Sequence, residues 1–125
     1  MNVDIIMVVR NEEKRIKTSV QSILDQTYSD FTLYVLDDGS NDSTSVELAK
    51  VAKRDSRLVV LQNNQSLGLA AGLNRLIKLS KADLIFRMDG DDISHSTRIE
   101  RQLKFMQLND HVDILGCNCR YLNKE

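Results

Sequence analysis

The chain of 125 residues contains no proline, an unusual lack in a sequence with several turns, and only two cysteines. Cys117 and Cys119 stand two apart in "GCNC", on one face of a predicted strand, a poor geometry for a disulfide. They read as small buried or half-buried residues in a reducing compartment. No metal site is expected there, because no Cys or His partner follows. No stretch approaches the roughly 18 consecutive apolar residues of a membrane span. The N-terminal "MNVDIIMVVRNEE" has an apolar core too short, and flanks too acidic, for a secretory signal. No block of like charge occurs and the formal net charge is -1, which argues against nucleic acid as the main partner. His95 and His111 are isolated, and neither is given a role.

What the chain does have is an apolar fraction of 42%, enough for a core, in a length that suits one domain or a piece of one. "VDIIMVV" (3–9) is a continuous apolar run rich in β-branched residues and predicts a strand buried on both faces. Further strands are predicted at 31–37, 57–62 and 83–89, and "VDILGCNCRYL" reads as a fifth. Between them lie helical spacings: Ile16, Val20, Ile23 and Leu24; Val46, Leu48, Ala49, Val51 and Ala52; Leu69, Leu73, Leu76 and Ile77; Ile99, Leu103 and Met106. Asn11 is a candidate cap for the first helix, and Thr44 with Glu47 has capping-box spacing for the second.

Strands alternating with helices predict an α/β fold: a mostly parallel sheet with helices on both faces. Such sheets bind ligands beyond the carboxyl ends of their strands, near the switch point in strand order. "RNEE", "DDGSND", "NNQSLG" and "DGDD" follow the first four predicted strands, so all four polar clusters fall on that edge. For the loops after strands one, two and four to meet, strand one must lie between strands two and four.

Each cluster has a plain structural reading beside a functional one. Asp38-Gly39 makes a tight turn, and Asp42 or Ser43 can start a helix. Two adjacent Asp at the strand end are not explained by that; a carboxylate there can accept from a ribose hydroxyl or a base N–H. "DGDD" can be a solvated loop with a cap at Ser94 or Ser96. Three carboxylates aimed at one point also suit a hard divalent cation, and Gly90 would let the backbone approach a ligand closely. "NNQSLGLAAGLN" lacks the Lys-Ser/Thr pair of a P-loop; Gly72 reads as helix-on-sheet packing and Gly68 as shaping a loop over a ligand.

Taken together, "IIMVVRNEE", "SILDQTYSDFTLYVLDDGSNDST", "GLAAGLN" and "FRMDGDDISHSTRIERQ" resemble the N-terminal, nucleotide-sugar-binding half of a family 2 glycosyltransferase with a GT-A fold, of the bacterial surface-polysaccharide type. The resemblance covers nearly the whole chain, in order and spacing. It implies a nucleotide-diphosphate sugar donor, with UDP the commonest, a divalent cation (Mn²⁺ or Mg²⁺), and inverting transfer to a saccharide or lipid-linked saccharide acceptor. It places the loop Val9–Glu12, with Val9, Asn11 and Glu12, along the nucleotide base. It makes Asp38 the base- or ribose-binding aspartate beside a structural Asp37. Asp89 and Asp91 become the metal-holding pair, with Asp92 flanking, Gly68 and Gly90 near the donor, and Arg98 and Gln102 structural.

The sequence departs from the family pattern where Val8 and Arg10 replace a proline and an aromatic, and where Ser96 replaces a proline; Arg10 could stack in place of the aromatic. Family domains are longer, so residues 1–125 are expected to be a single truncated GT-A subdomain, with the catalytic base beyond Glu125. The sheet edge after a fifth strand would be open, a candidate surface for a homodimer. The expected location is cytoplasmic, or peripheral at the inner face of the cell membrane. Two other readings stay open: a non-catalytic nucleotide- or partner-binding module, and a phosphotransferase, since "DGDDI" is similar to an aspartate-nucleophile motif but follows the fourth strand instead of the first.

Overall fold

The computed structural model describes residues 1–122. Within them β1 (Val3–Val9), α1 (Ile16–Leu24), β2 (Thr32–Asp38), α2 (Thr44–Arg54), β3 (Leu58–Asn63), α3 (Leu69–Leu79), β4 (Leu84–Arg87) and α4 (Arg98–Leu108) follow in order. The sheet runs β3-β2-β1-β4 with every pair parallel. β1 is therefore interior, as the ligand argument required, and it is buried along its length except at half-buried Val8.

The handedness of parallel crossovers decides where the helices lie. β1–α1–β2 and β2–α2–β3 step outward in one direction, whereas β3–α3–β4 steps back past β1. α1 and α2 therefore share one face, and α3 lies on the other. Ile5, Met7, Leu33 and Val35 meet Ile16, Val20, Ile23, Leu48 and Val51 on the first face, where Ile99 and Leu103 of α4 join them. Ile6 and Leu36 meet Leu76 on the second. Gly72 is needed there, because a Cβ would stand 2.8 Å from Val8 Cγ1. The α3 stripe is only partly used: Leu76 is buried, while Leu69 and Ile77 are about half exposed.

Three expectations are corrected. Residues 112–122 form no strand. Ile114 and Tyr121 are 90% and 91% exposed, so the segment's apolar residues have no layer to bury against, and strand preference depends on that burial. The open sheet edges are consequently those of β3 and β4. Cys117 and Cys119 are exposed, not buried, for the same reason. Neither predicted helix cap forms. α1 starts after Arg15 and α2 after Ser43, both without a side-chain cap bond.

Candidate functional site

Asn11 does other work. It adopts a left-handed backbone (φ 52°), a conformation asparagine tolerates better than most residues. Its N–H donates to Ser40 Oγ at 2.9 Å, and its Oδ1 accepts from Asn41 N–H at 2.8 Å. Glu12 N–H donates to Thr44 Oγ1 at 2.9 Å, and Glu13 Oε2 accepts from Ser43 N–H at 3.0 Å. The loops after β1 and β2 are thus one hydrogen-bonded unit. Asp37 is fully buried beneath it; Oδ1 accepts from Ser40 N–H, and Oδ2 has no partner among the described residues.

Asp38 points to the opposite face, as alternation along a strand requires. Its carboxylate accepts four hydrogen bonds: Asn63 Nδ2 and Leu67 N–H on Oδ1, Ser66 Oγ and Gly68 N–H on Oδ2, all at 2.9–3.0 Å. That occupies the full acceptor capacity of a carboxylate. The residue expected to touch the nucleotide therefore holds the β3–α3 loop. Gly39 brings the two backbones together, since a Cβ there would lie 2.7 Å from Ser66 N. Gly68 has open space around it and is required by its φ of 92°.

Burial pushes the Asp38 carboxyl up, but the bonds from Asn63, Leu67, Ser66 and Gly68 outweigh it and bring the pKa down to about 2. A lowered carboxyl stabilises the fold above its unfolded pKa and loses that contribution as pH falls towards the folded value. Denaturant midpoints should therefore drop as pH falls from about 4 to about 2, by an amount worth roughly 2 kcal/mol. Asp38→Asn should remove that part of the pH slope and be less stable at neutral pH. Parallel slopes in the two proteins would exclude this account of Asp38.

The acidic loop follows β4. One oxygen each from Asp89, Asp91 and Asp92 lies within 4.8 Å of the others, and all three residues are exposed. Unit charges 4 Å apart interact by about 4 kcal/mol at an effective dielectric near 20, less where water screens them. Two guanidinium groups offset part of the repulsion: Arg87 lies 3.3 Å from Asp89, and Arg15 lies 3.7 Å from Asp91. Loss of hydration, then the charges of Asp91 and Asp89, push the Asp92 carboxyl up, with Arg98 opposing. Loss of hydration, then Asp91, also raises Glu12, with Arg15 opposing and Asp42 adding to the rise. Three hard oxygen donors converging from one loop fit a divalent cation, and leave further coordination positions for a ligand and water.

Gly90 is explained by packing. A Cβ there would clash with Val9 Cγ1, so the acidic loop sits directly on β1. Val9 itself is buried under it and pairs with Asp37 of β2. Gly90→Ala should destabilise the protein by about 1–3 kcal/mol, as overpacking does. Measured in a Val9→Ala background, whose own cavity cost is determined separately, the effect of Gly90→Ala should be at least halved, because the clashing methyl groups are gone. Additive melting shifts in the double variant would show that the clash is not the cause.

Arg98 ties the start of α4 to β4 and to its own next turn: Nη2 donates to Arg87 O at 3.0 Å and Nε to Gln102 Oε1 at 3.0 Å. Sequence reasoning missed Ser19, Ser22 and Gln26, which meet the acidic loop from α1 and the turn after it. Their spacing, beside the Ile16–Val20–Ile23 stripe, was the available signal.

A parallel sheet between helix layers, with its loops and a carboxylate cluster gathered at the carboxyl edge, is an α/β fold of the GT-A type. The sequence matches the family model described as "Glycosyl transferase family 2" over residues 4–124, and the chain belongs to that family. It is 33% identical over 121 residues to the Escherichia coli UDP-Glc:alpha-D-GlcNAc-diphosphoundecaprenol beta-1,3-glucosyltransferase WfgD, covering 97% of this chain and 47% of WfgD. It superposes on S. aureus TarS 1-349 in complex with UDP with a TM-score of 0.79 at 22% identity, covering 99% of this chain and 38% of that one. The mannosyltransferase PcManGT from Pyrobaculum calidifontis, in complex with GDP-Man and Mn²⁺, gives 0.78 at 20% identity, with coverage of 84% and 32%. The chain spans between 14% and 48% of the length of the first curated relatives it matches.

Proposed function

We propose that this chain is the donor-binding half of a glycosyltransferase that moves a sugar from a nucleotide-diphosphate donor, with UDP as the nucleotide, to a hydroxyl of a saccharide or lipid-linked saccharide acceptor with inversion. The observation that carries the reading is the convergence of Asp89, Asp91 and Asp92 on the sheet edge that also presents the loops of Asn11 and Asp38. Similarity to WfgD supports the donor and acceptor classes, and the TarS complex with UDP and the PcManGT complex with GDP-Man are consistent with a nucleotide-linked donor.

In this reading Asp89 and Asp91 hold Mn²⁺ or Mg²⁺, and Asp92 flanks them. When bound, the cation neutralises the diphosphate and stabilises the departing nucleotide. The backbone of Val9, with Arg10, Asn11 and Glu12, lies along the base. Asp38 shapes the Gly68 loop over the donor, and Gly90 seats the acidic loop on β1. The acceptor hydroxyl must lose its proton as it attacks, which needs a base. Metal-bound carboxylates are poor bases, so that residue is placed beyond Glu125. No helix among the described residues is long and apolar enough to cross a membrane. The lipid-linked acceptor in the name of WfgD is the reason we place the reaction in the cytoplasm or at the inner face of the cell membrane.

The phosphotransferase reading is disfavoured, because the aspartate cluster follows β4 rather than β1. Thermal melts separate the two. UDP at one hundred times its dissociation constant should stabilise the protein by about 2.7 kcal/mol in Mn²⁺. Small phosphate esters should give no shift and release no phosphate. Ester hydrolysis without a UDP shift would reverse the assignment.

A further inference from the structure

We propose that Gln26, with Ser19 and Ser22, is a positioning device that sets the geometry of the acidic loop, and so governs which divalent cation it accepts. The proposal rests on the donor-site reading above and adds a role for residues that touch neither donor nor metal. Gln26 is 5% exposed. Its Nε2, with two hydrogens to share, lies 3.0 Å from Ser22 O, 3.2 Å from Ser94 Oγ and 2.6 Å from His95 O, and its Oε1 accepts from Ile99 N–H at 3.0 Å. Ile99 lies in the first turn of α4, whose leading N–H groups have no partner within the helix. α4 has no side-chain cap of its own, and Gln26 supplies that bond from beyond the end of α1.

Ser22 Oγ accepts from Ser94 N–H at 2.9 Å, and Ser19 Oγ donates to Asp89 O at 3.1 Å. Thr27 N–H donates to Ser96 O at 2.9 Å. The loop is thus fastened at Asp89 and again at residues 94–96, and between these points stand Asp91 and Asp92. The carboxylates repel one another, so left to themselves they would spread. Anchors at both ends oppose that spreading without using the carboxylates. Positions 19, 22 and 26 fall at helical spacing, which lets one face of α1 and its following turn reach the whole loop.

A loop fixed this way favours a small cation with strict octahedral demands, such as Mn²⁺ or Mg²⁺. A loosened one tolerates the larger and less exacting Ca²⁺. Gln26→Glu is the sharp variant. It keeps the size and the acceptor but turns an oxygen toward His95 O, where a donor is required. Ser22→Ala is the mild one.

The test is calorimetric titration of Mn²⁺ and of Ca²⁺ into the full chain saturated with UDP, for the parent and both variants, with circular dichroism to confirm folding. The expected result is an Mn²⁺ affinity about tenfold weaker in Gln26→Glu, as for other groups that orient metal ligands. The Mn²⁺/Ca²⁺ preference should fall in both variants, a change that loss of stability alone does not produce. Unchanged preference in a folded variant overturns the proposal, and if Gln26→Glu does not fold, Ser22→Ala decides. A parent protein that binds UDP equally with and without Mn²⁺ would instead defeat the donor-site reading, and this proposal with it.

Discussion

Asp91→Ala is expected to abolish the metal dependence of nucleotide binding. Asp91 stands between the other two carboxylates of a cluster whose oxygens converge within 4.8 Å. Removing it leaves two donors and one fewer negative charge against a dication, a change on the order of 100-fold in metal affinity by the Coulomb estimate. It also frees Arg15, whose ion pair with Asp91 is lost. A freed guanidinium beside a diphosphate should leave some metal-independent UDP binding. Asp38→Ala should behave differently. Its carboxylate is committed to the loop 63–68, so the variant should bind UDP more weakly while still requiring Mn²⁺. Calorimetry with each variant in Mn²⁺ and in chelator checks both, and an Asp91→Ala protein that keeps the parent's Mn²⁺ dependence would refute the assignment.

Residues 1–125 alone are expected to give no acceptor-dependent sugar transfer, the second large effect. Inverting transfer needs a base near the acceptor hydroxyl, and general base catalysis contributes typically 10²–10⁴-fold. Of the carboxylates near the loop edge, Asp38 is saturated with hydrogen bonds, and Asp89, Asp91 and Asp92 form the cluster proposed to hold the metal. The Glu12 carboxyl feels the charge of Asp91, and in the proposed reading it lies along the nucleotide base, away from the acceptor. Holding the acceptor in line with the donor contributes further, and no surface here is assigned to that. The expected activity is donor binding with at most slow hydrolysis. A coupled nucleotide-release assay reads this directly, and robust turnover that depends on added acceptor would mean that the base lies within these residues.

The sheet was legible because its signals are local. The β-branched run of Val3–Val9 and the alternation of strands and helices are sufficient to place β1 inside and the polar loops on one edge. The acidic loop was legible because like charges seldom crowd without cause. What sequence did not show depends on contacts between distant segments. Asn11 resembles a cap by type and position, but its partners are Ser40 and Asn41. Asp38 looks free at a strand end until the loop at 63–68 folds over it. Gly90 looks like an approach to a ligand until Val9 is seen beneath it. The apolar pattern of residues 112–122 reads as a strand, yet no surface of the described residues covers it. Gln26 shows in sequence only as a spacing from Ser19 and Ser22, since its four partners lie in α1, in the loop and in the first turn of α4.

The most direct measurement compares UDP with uridine, each titrated into the protein in Mn²⁺ and in chelator. If the carboxylate loop holds a cation that bridges to the diphosphate, Mn²⁺ should tighten UDP at least about tenfold, one bridged contact being worth 1.4 kcal/mol or more. It should leave uridine, which has no phosphate, unchanged. Equal UDP affinity in Mn²⁺ and in chelator would contradict the account.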